Sequence, residues 1–224
     1  MRKTRTTFSF AVYFMALLSM VFVVGISVPW AAEGGTALSP QQQLKHGIDE
    51  LIKVIADKSL KGEAGKKLRE KKLVQVFKQH FNLTYTSQLC LGRHWRKLSA
   101  AERDNFVDLF SDLLKSTYLG RVDEYSGETV RYEKQMIKGR KAIVKTIVIS
   151  KGKEIPVGYK MINRDGSWRV YDVIIEGVSM VRNYRSQFSS ILQKKKFADL
   201  IQQMRDKIAR NQAEKDAAKE PAKG

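Results

Sequence analysis

The sequence predicts one α+β domain, with N- and C-terminal helices packed around a curved antiparallel β-meander. Apolar residues recur at helical spacing up to about residue 118, at strand spacing from about 128 to 175, and at helical spacing again after Gly177. Turns that contain glycine separate the strand-like runs. With 224 residues, 43% of them hydrophobic and only 4 Pro, the chain has a globular composition, which excludes a disordered or collagen-like protein.

The first 32 residues have the features of a secretory signal. Basic residues near the N-terminus precede an apolar run from Phe8 to Ile26, and small residues follow Pro29. We therefore expect residues 1–32 to be removed on export. Because the apolar run is long enough to span a bilayer, an uncleaved anchor is the alternative. Both interpretations export the rest of the chain and predict a periplasmic location.

The charge of the chain predicts an anionic partner. Its net charge is +18, and it stays strongly positive without the signal segment. In a bacterial envelope the abundant anions are lipid head groups, so membrane contact is favoured and nucleic-acid binding is the weakest alternative. The single cysteine, Cys90, excludes an intramolecular disulfide and a cysteine-based zinc site, and we expect it to be a buried thiol.

Capping residues and apolar periodicity define the predicted helices. The first helix begins at Ser39-Pro40, and the second covers 68–81 after a break at 62–65. The third covers 84–91 and ends before a C-cap at Gly92, and the fourth runs from the Ser99 capping box to Tyr118. The fifth covers 179–193, and the last begins at Phe197. Residues after Asn211 are rich in Lys, Glu and Ala, and we expect a disordered polar tail over 211–224. One domain over 33–210 remains.

Four strands are predicted between the two helical regions. They cover 129–136, 141–150, 154–163 and 167–175. Asp165-Gly166 between the last two is a strong hairpin signal, so we expect consecutive antiparallel pairing. The second strand carries apolar residues on both faces. This pattern predicts a sheet that is covered on both sides, or one with a core on one face and a cavity on the other.

Motifs for catalysis are largely missing from the sequence. Neither a phosphate-binding G-x-x-x-x-G-K-[ST] nor a hydrolase G-x-S-x-G is present. His46, His80 and His94 lack metal-ligand spacing, and we expect them at the surface or at its boundary. Asp172 lies between apolar neighbours in a strand. It is either a general base or, as we favour, a buried acid paired with an Arg or a Tyr.

Two stretches are more specific than any of these patterns. The first stretch begins with His94-Trp95-Arg96-Lys97-Leu98-Ser99 and leads into an aromatic helix that ends at Thr117-Tyr118. The second stretch runs from Trp168 through Ile175-Glu176-Gly177-Val178-Ser179 to Phe188. Together they resemble the MlaC family, the toluene-tolerance auxiliary proteins of the Mla lipid-transport system. The resemblance covers about residues 38–208. Asn82 departs from the pattern, because the family usually has an aspartate there, and this puts any pairing made by that aspartate in doubt.

The resemblance implies a non-catalytic periplasmic carrier of glycerophospholipid. Such a carrier would move lipid between an outer-membrane lipoprotein complex and the substrate-capture subunit of an inner-membrane ABC transporter, and so support the lipid asymmetry of the outer membrane. It would need no cofactor and no metal, and phospholipid would be its cargo. The implied fold encloses a deep apolar cavity that takes the acyl tails and leaves the head group near its mouth.

Candidate tail-binding residues lie on the aromatic helix, on the strands and in the segment from Val178 to Phe188. They are Phe106, Phe110, Leu113, Leu114, Tyr118, Ile147, Val157, Tyr159, Trp168, Val170, Val178, Val181, Tyr184 and Phe188. Arg182 and Arg185 follow the Gly177-Val178-Ser179 turn and are the head-group candidates. The run 194–196 of three lysines is a candidate docking patch for an anionic membrane or an acidic partner.

An enzyme on a cone-shaped α+β fold is the alternative to a carrier. Asp172 together with Tyr118 or Tyr159 would supply its acid and base groups. This alternative requires the carboxylate and a tyrosine hydroxyl to meet inside the same cavity, which the structure tests.

Overall fold

A computed structural model describes residues 38–119 and 125–217 and confirms the α+β class. Its α-helices are α1 (Pro40–Ala56), α2 (Gly62–His80), α3 (Leu83–Leu91), α4 (Ala100–Tyr118), α5 (Met180–Lys194) and α6 (Phe197–Ala217). Its strands are β1 (Thr129–Lys138), β2 (Lys141–Ser150), β3 (Lys153–Arg164), β4 (Ser167–Ile175) and β5 (Val178–Ser179). None of the helices in these two described ranges combines the length and the apolar character needed to cross a membrane. The predicted signal segment, 1–32, and residues 218–224 lie outside the described residues.

The predicted helix ends are confirmed by their hydrogen bonds. Ser39 and Gln42 form a reciprocal capping box at the start of α1, and Ser99 and Glu102 form another at the start of α4. Gly92 follows α3 with a positive φ of 55°, a conformation that favours glycine. The side-chain oxygen of Asn82 accepts a hydrogen bond from the Tyr85 N–H at 2.9 Å. Asn82 therefore caps α3 through the same kind of oxygen that an aspartate would offer.

Two helix boundaries differ from the sequence-based expectation. Helix α2 begins at Gly62 rather than at 68, and it comes so close to Leu60 that a Cβ on Gly65 would lie 2.5 Å from the Leu60 carbonyl carbon. Helix α6 runs to Ala217, past the expected start of a disordered tail at 211. The Asn211 amide donates to Ser116 on α4, and residues of good helix propensity follow, so this segment is helical and anchored.

All five strands pair antiparallel in chain order, so the predicted meander is confirmed, with the short β5 as an addition. Asp165 and Gly166 both have positive φ, 56° and 79°, as the predicted two-residue hairpin requires. Register shifts between Tyr132 and Lys134 and between Lys160 and Met161 bend the strands. The sheet is therefore curved, as expected.

The two faces of the sheet have different surroundings. On its inner face β2 buries Val144, Thr146 and Val148, and α1 packs against β1, β2 and β4. On its outer face Ile143 and Ile147 are only half-buried. The apolar pattern of β2 predicted cover on both sides, or a core and a cavity. The core and the cavity instead share the inner face, and the outer isoleucines stay partly open to solvent.

Asp172 connects β4 to the start of α5. Its carboxylate, only 1% exposed, accepts hydrogen bonds from the Ser179 hydroxyl at 2.7 Å and the Val181 N–H at 3.0 Å, and Lys160 Nζ lies 3.1 Å away. A buried structural acid is what we favoured from the sequence. The partners are a lysine, a serine and a backbone amide rather than the expected Arg or Tyr, because the Lys160 side chain lies directly across the β3–β4 ladder.

Replacing Asp172 tests this connection. Asp172→Ala should lower the free energy of unfolding by about 3 kcal/mol, because it leaves the Ser179 hydroxyl and the Val181 N–H buried without an acceptor. Urea unfolding followed by circular dichroism measures the change. Asp108→Ala, on the exposed side of α4, is the control and should change stability by less than about 0.5 kcal/mol. Equal stabilities of the two variants would contradict the structural role of Asp172.

Candidate functional site

An apolar cavity lies between α1, α2, α4 and the end of β4. It is lined by Leu51, Ile55, Leu73, Val74, Phe77, Phe81, Ser111, Leu114, Lys115, Tyr118, Leu119, Val173, Ile175 and Met180. Eleven of these fourteen side chains are hydrocarbon, thioether or phenyl groups, and Ser111, Lys115 and Tyr118 are the exceptions. A wall of this kind has few hydrogen-bonding groups to offer a polar ligand and suits an apolar one.

Several wall residues expose apolar surface to the cavity. Leu51 and Phe77 are half-buried although they pack against the fully buried core, and Val74 is half-buried as well. Burial raises the pKa of Tyr118, and a hydrogen bond with Tyr184 partly offsets this effect. The Tyr118 hydroxyl is thereby held as a neutral group at the cavity wall.

The cavity is small for a whole lipid. Its volume is about 90 Å³, roughly the space that three water molecules take in the liquid. A second cavity of about 20 Å³ continues it between α1 and the sheet and shares Leu51, Phe77 and Phe81 with it. Pockets that bury drug-sized ligands span roughly 300–1,000 Å³. The walls must move apart before two acyl chains can enter.

A larger groove of about 930 Å³ lies between α4, α5 and α6. Its lining includes Asn183, Gln187, Gln203, Asp206 and Arg210, so polar and charged groups make up much of its surface. Burying hydrocarbon tails there would also desolvate these groups without giving them partners. The groove is therefore the poorer candidate for holding acyl chains, in spite of its size.

The aromatic residues predicted from α4 and α5 mostly pack on one another. Phe106 and Phe110 are fully buried and form edge-to-face contacts with Phe188, and Phe110 lies 5.0 Å from the Tyr184 ring. Leu113, also predicted, lines the polar groove instead. Of the predicted tail-binding residues, Leu114 and Tyr118 are the two that line the apolar cavity.

The predicted strand residues are divided between the two faces. Tyr159, Trp168 and Val170 line the small second cavity, and Val157 is buried in the core on the same inner face. Ile147 lies on the outer face of β2, away from both cavities.

The remaining predicted residues lie near the start of α5. Val178 in β5 is 56% exposed. Val181 is half-buried and donates its N–H to Asp172. Arg182 and Arg185 are exposed on α5. Neither valine and neither arginine lines the apolar cavity, so their contacts with lipid stay predictions.

Residues of α1, α2 and β4 form half of the cavity wall, and the sequence reasoning did not select them. Their only signal was the helical spacing of pairs such as Leu51 and Ile55 or Leu73 and Phe77, which is the same for a core and for a cavity. Lys115 was missed as well. It is an exposed cation on the cavity wall, next to the predicted Leu114.

The three groups of the enzyme alternative do not meet. Asp172 is opposite Lys160 on the outer side of the β3–β4 ladder, whereas Tyr159 is opposite Val173 on the inner side. Tyr159 is fully buried, and Tyr118 reaches the apolar cavity. Within residues 38–119 and 125–217, no cluster of His, Cys, Asp or Glu side chains could hold a metal ion. His80, expected at the surface or at its boundary, is instead buried at the end of α2, where its Nε2 lies 2.6 Å from a carboxylate oxygen of Glu50 on α1.

Comparisons with known proteins agree with this geometry. The chain is 26% identical over 131 residues to the "Intermembrane phospholipid transport system binding protein MlaC" of Haemophilus influenzae. That alignment covers 56% of this chain and 61% of the relative, so it spans less than two thirds of the relative's length. A solved phospholipid-binding protein from Ralstonia solanacearum, in complex with a phospholipid, superposes with a TM-score of 0.70 at 23% identity. It is covered over 99% of its length, and 78% of this chain is matched, which shows a shared fold.

A protein family also matches most of the chain. A family profile described as "MlaC protein" matches residues 45–206, from α1 to α6. This range holds every wall of the apolar cavity and well over half of the chain. The chain therefore belongs to the MlaC protein family.

Proposed function

We propose that this chain is a non-catalytic periplasmic carrier that holds a glycerophospholipid by its acyl tails in the apolar cavity. It would move the lipid between an outer-membrane complex and an inner-membrane ABC transporter. The observation that carries the proposal is the half-exposed apolar wall between α1, α2, α4 and β4. The names of the Haemophilus and Ralstonia relatives, one in phospholipid transport and one bound to a phospholipid, support the choice of ligand.

Burial of the tails is the energetic requirement on such a carrier. Each methylene group left in water costs about 0.8 kcal/mol, so two chains of fifteen methylenes cost about 24 kcal/mol. An exposed groove that covered half of this surface would hold the lipid too weakly for transport through water. The carrier must therefore enclose most of both tails, which requires the cavity of about 90 Å³ to expand.

The helices around the cavity are arranged so that it can expand. Helix α1 packs on α2, and α4 packs on α6, whereas α2 and α4 make few contacts with each other across the cavity. Moving the α1–α2 pair away from the α4–α6 pair would widen the space and leave both helix pairs intact. We propose this motion for loading and release.

An ion pair joins the two helix pairs. Lys215 on α6 donates to Glu70 on α2 at 2.8 Å, and both side chains are partly buried. Burial acts to raise the pKa of Glu70, yet the hydrogen bond and charge of Lys215, with Lys115 nearby, hold that pKa below its usual value of 4.5. The pair is therefore charged at neutral pH and opposes separation of the helices.

Lys115 is the head-group contact that the geometry favours. It is exposed at the wall of the apolar cavity, one residue after Leu114, whose side chain faces the space proposed for the tails. A phosphate whose tails occupied this cavity would lie within reach of a long cationic side chain. Arg182 and Arg185 stay as the candidates predicted from the sequence.

A charge in the cavity wall tests the binding site. Leu51→Glu should give a folded protein with at least about tenfold less co-purifying phospholipid, because a carboxylate facing the tails loses its hydration. Lipid extraction from protein purified without detergent measures the occupancy. Leu68→Glu is the matched control, since Leu68 is 49% exposed on α2 and lies outside the cavity lining. Equal lipid content in both variants would place the tails elsewhere.

An uncharged variant tests the same cavity without the risk that a buried carboxylate unfolds the protein. Val74→Trp fills the cavity with an apolar ring and adds no charge, so it should also reduce the bound phospholipid while thermal unfolding stays cooperative. A folded Val74→Trp protein with full lipid occupancy would contradict the assignment of the cavity.

Removing the ion pair tests the proposed opening motion. Glu70→Gln should speed phospholipid transfer between labelled and unlabelled liposomes severalfold, because the two helix pairs then separate more easily. Because the folded pKa of Glu70 is lowered, the pair stabilises the closed arrangement above pH 4.5 and loses this effect only as the pH falls below that value. The rate at which the wild type transfers phospholipid should therefore not depend on the titration of Glu70 around neutral pH. A Glu70→Gln rate equal to that of wild type would contradict the proposed motion.

A further inference from the structure

The outer face of β1, β2 and β3 carries a row of lysines beside apolar residues. Strand register places Lys134, Lys138, Lys141 and Lys145 on this face, together with Met136 and the half-buried Ile143 and Ile147. We call this set the outer lysine face. All four lysines are exposed, and Met136 is 46% exposed.

Like charges lie directly opposite each other on the outer lysine face. Lys134 pairs with Lys145 across the β1–β2 ladder, and Lys138 pairs with Lys141. Like charges at directly opposite positions of an antiparallel pair are destabilising. In the part of the chain that the structure describes, no carboxylate lies within ion-pair distance of these four lysines. The acids near this face, Glu133 and Glu154, lie 3.9 Å and 2.9 Å from Arg131 and are paired with it.

Protection of a sheet edge does not account for this arrangement. Lysines on an exposed edge strand commonly prevent pairing with another chain, and β1 is an edge strand of this sheet. Lys141 and Lys145, however, lie on β2, whose two edges are both hydrogen-bonded to neighbours. A charge there does not block edge pairing. The cations and the open isoleucines therefore need a different explanation.

We propose that the outer lysine face docks on the anionic surface of a phospholipid bilayer. Lysines interleaved with exposed aliphatic side chains are the combination with which peripheral proteins bind anionic membranes, the charges contacting head groups and the apolar side chains entering the interface. Lysines and aliphatic side chains alternate along β1 and β2 on this face, so it fits a fluid layer of phosphates better than a shaped acidic protein. This inference rests on the proposed carrier function for its choice of a bilayer, where the cargo is collected or delivered.

The position of this face suits a carrier. It is the side of the sheet opposite to the apolar cavity, so docking leaves the helix pairs that border the cavity free to separate. Each lysine near an anionic surface strengthens binding by about fivefold. Binding of the membrane through four lysines is weak enough to be reversible, and salt weakens it strongly by screening the charges.

Flotation with vesicles tests the proposal. Protein expressed from the full sequence and recovered from a bacterial periplasm would be mixed with vesicles of equal parts phosphatidylglycerol and phosphatidylcholine, or of phosphatidylcholine alone. We expect wild type to float only with the anionic vesicles and to dissociate as salt is raised. The double variant Lys134→Gln with Lys145→Gln should bind about 25-fold more weakly.

Two matched variants distinguish the contribution of the outer lysine face to vesicle binding from that of net charge and from that of the lysine run at 194–196. Lys71→Gln with Lys78→Gln removes the same charge from exposed positions of α2, and Lys195→Gln with Lys196→Gln removes it from the lysine run that begins at 194. Neither should weaken vesicle binding comparably. An equal or larger loss in either variant would overturn the assignment of the outer lysine face.

The lipid content of the same preparations separates this proposal from the carrier function. The Lys134→Gln and Lys145→Gln protein should keep its co-purifying phospholipid, because neither residue borders the cavity. Wild type that carries phospholipid but does not bind anionic vesicles would overturn the docking proposal alone and point to an acidic protein surface as the partner. Wild type without phospholipid would overturn the carrier function instead.

Discussion

Helices α2 and α4 border the same apolar space without packing closely on each other, and the rest of the fold determines how far apart they lie. Helix α2 is positioned by α1, which itself packs on the inner face of the sheet. Helix α4 is positioned by α6 and by the aromatic contacts of Phe110 with α5. Two helix pairs therefore close on one sheet face, and their separation sets the volume that is available to an apolar ligand.

The connection between β4 and α5 holds the second of these pairs in place. Asp172 on β4 binds the Ser179 hydroxyl and the Val181 N–H at the start of α5. Helix α5 then presents Tyr184 and Phe188 to the buried face of α4. A buried carboxylate is thus used for structure rather than chemistry, and the aromatic residues beside it form a rigid core. The other wall, α1 and α2, is joined to α6 by the ion pair of Glu70 and Lys215, which is the contact that the proposed change of cavity volume would break.

Local signals in the sequence predict the elements well and the cavity poorly. Capping by Ser39 and Ser99, the C-cap at Gly92 and the Asp165-Gly166 hairpin act over a few residues, so they can be identified in the sequence alone. Whether an apolar side chain faces a core or a cavity depends on distant elements. Phe106 and Phe110 looked suited to acyl tails and instead pack on α5, whereas Leu51 and Phe77 looked like ordinary helix core and line the cavity. Likewise, the open outer face of β2 follows from where the helices pack, which periodicity does not encode.

A crystal structure of the protein recovered from a bacterial periplasm without detergent would test the central claim most directly. The account predicts electron density for two acyl tails between Leu51, Phe77 and Tyr118, with α1 and α2 displaced together from α4 and α6. The phosphate should lie near Lys115. Tails in the polar groove between α4, α5 and α6, or a phospholipid bound with the α2–α4 distance unchanged, would contradict it.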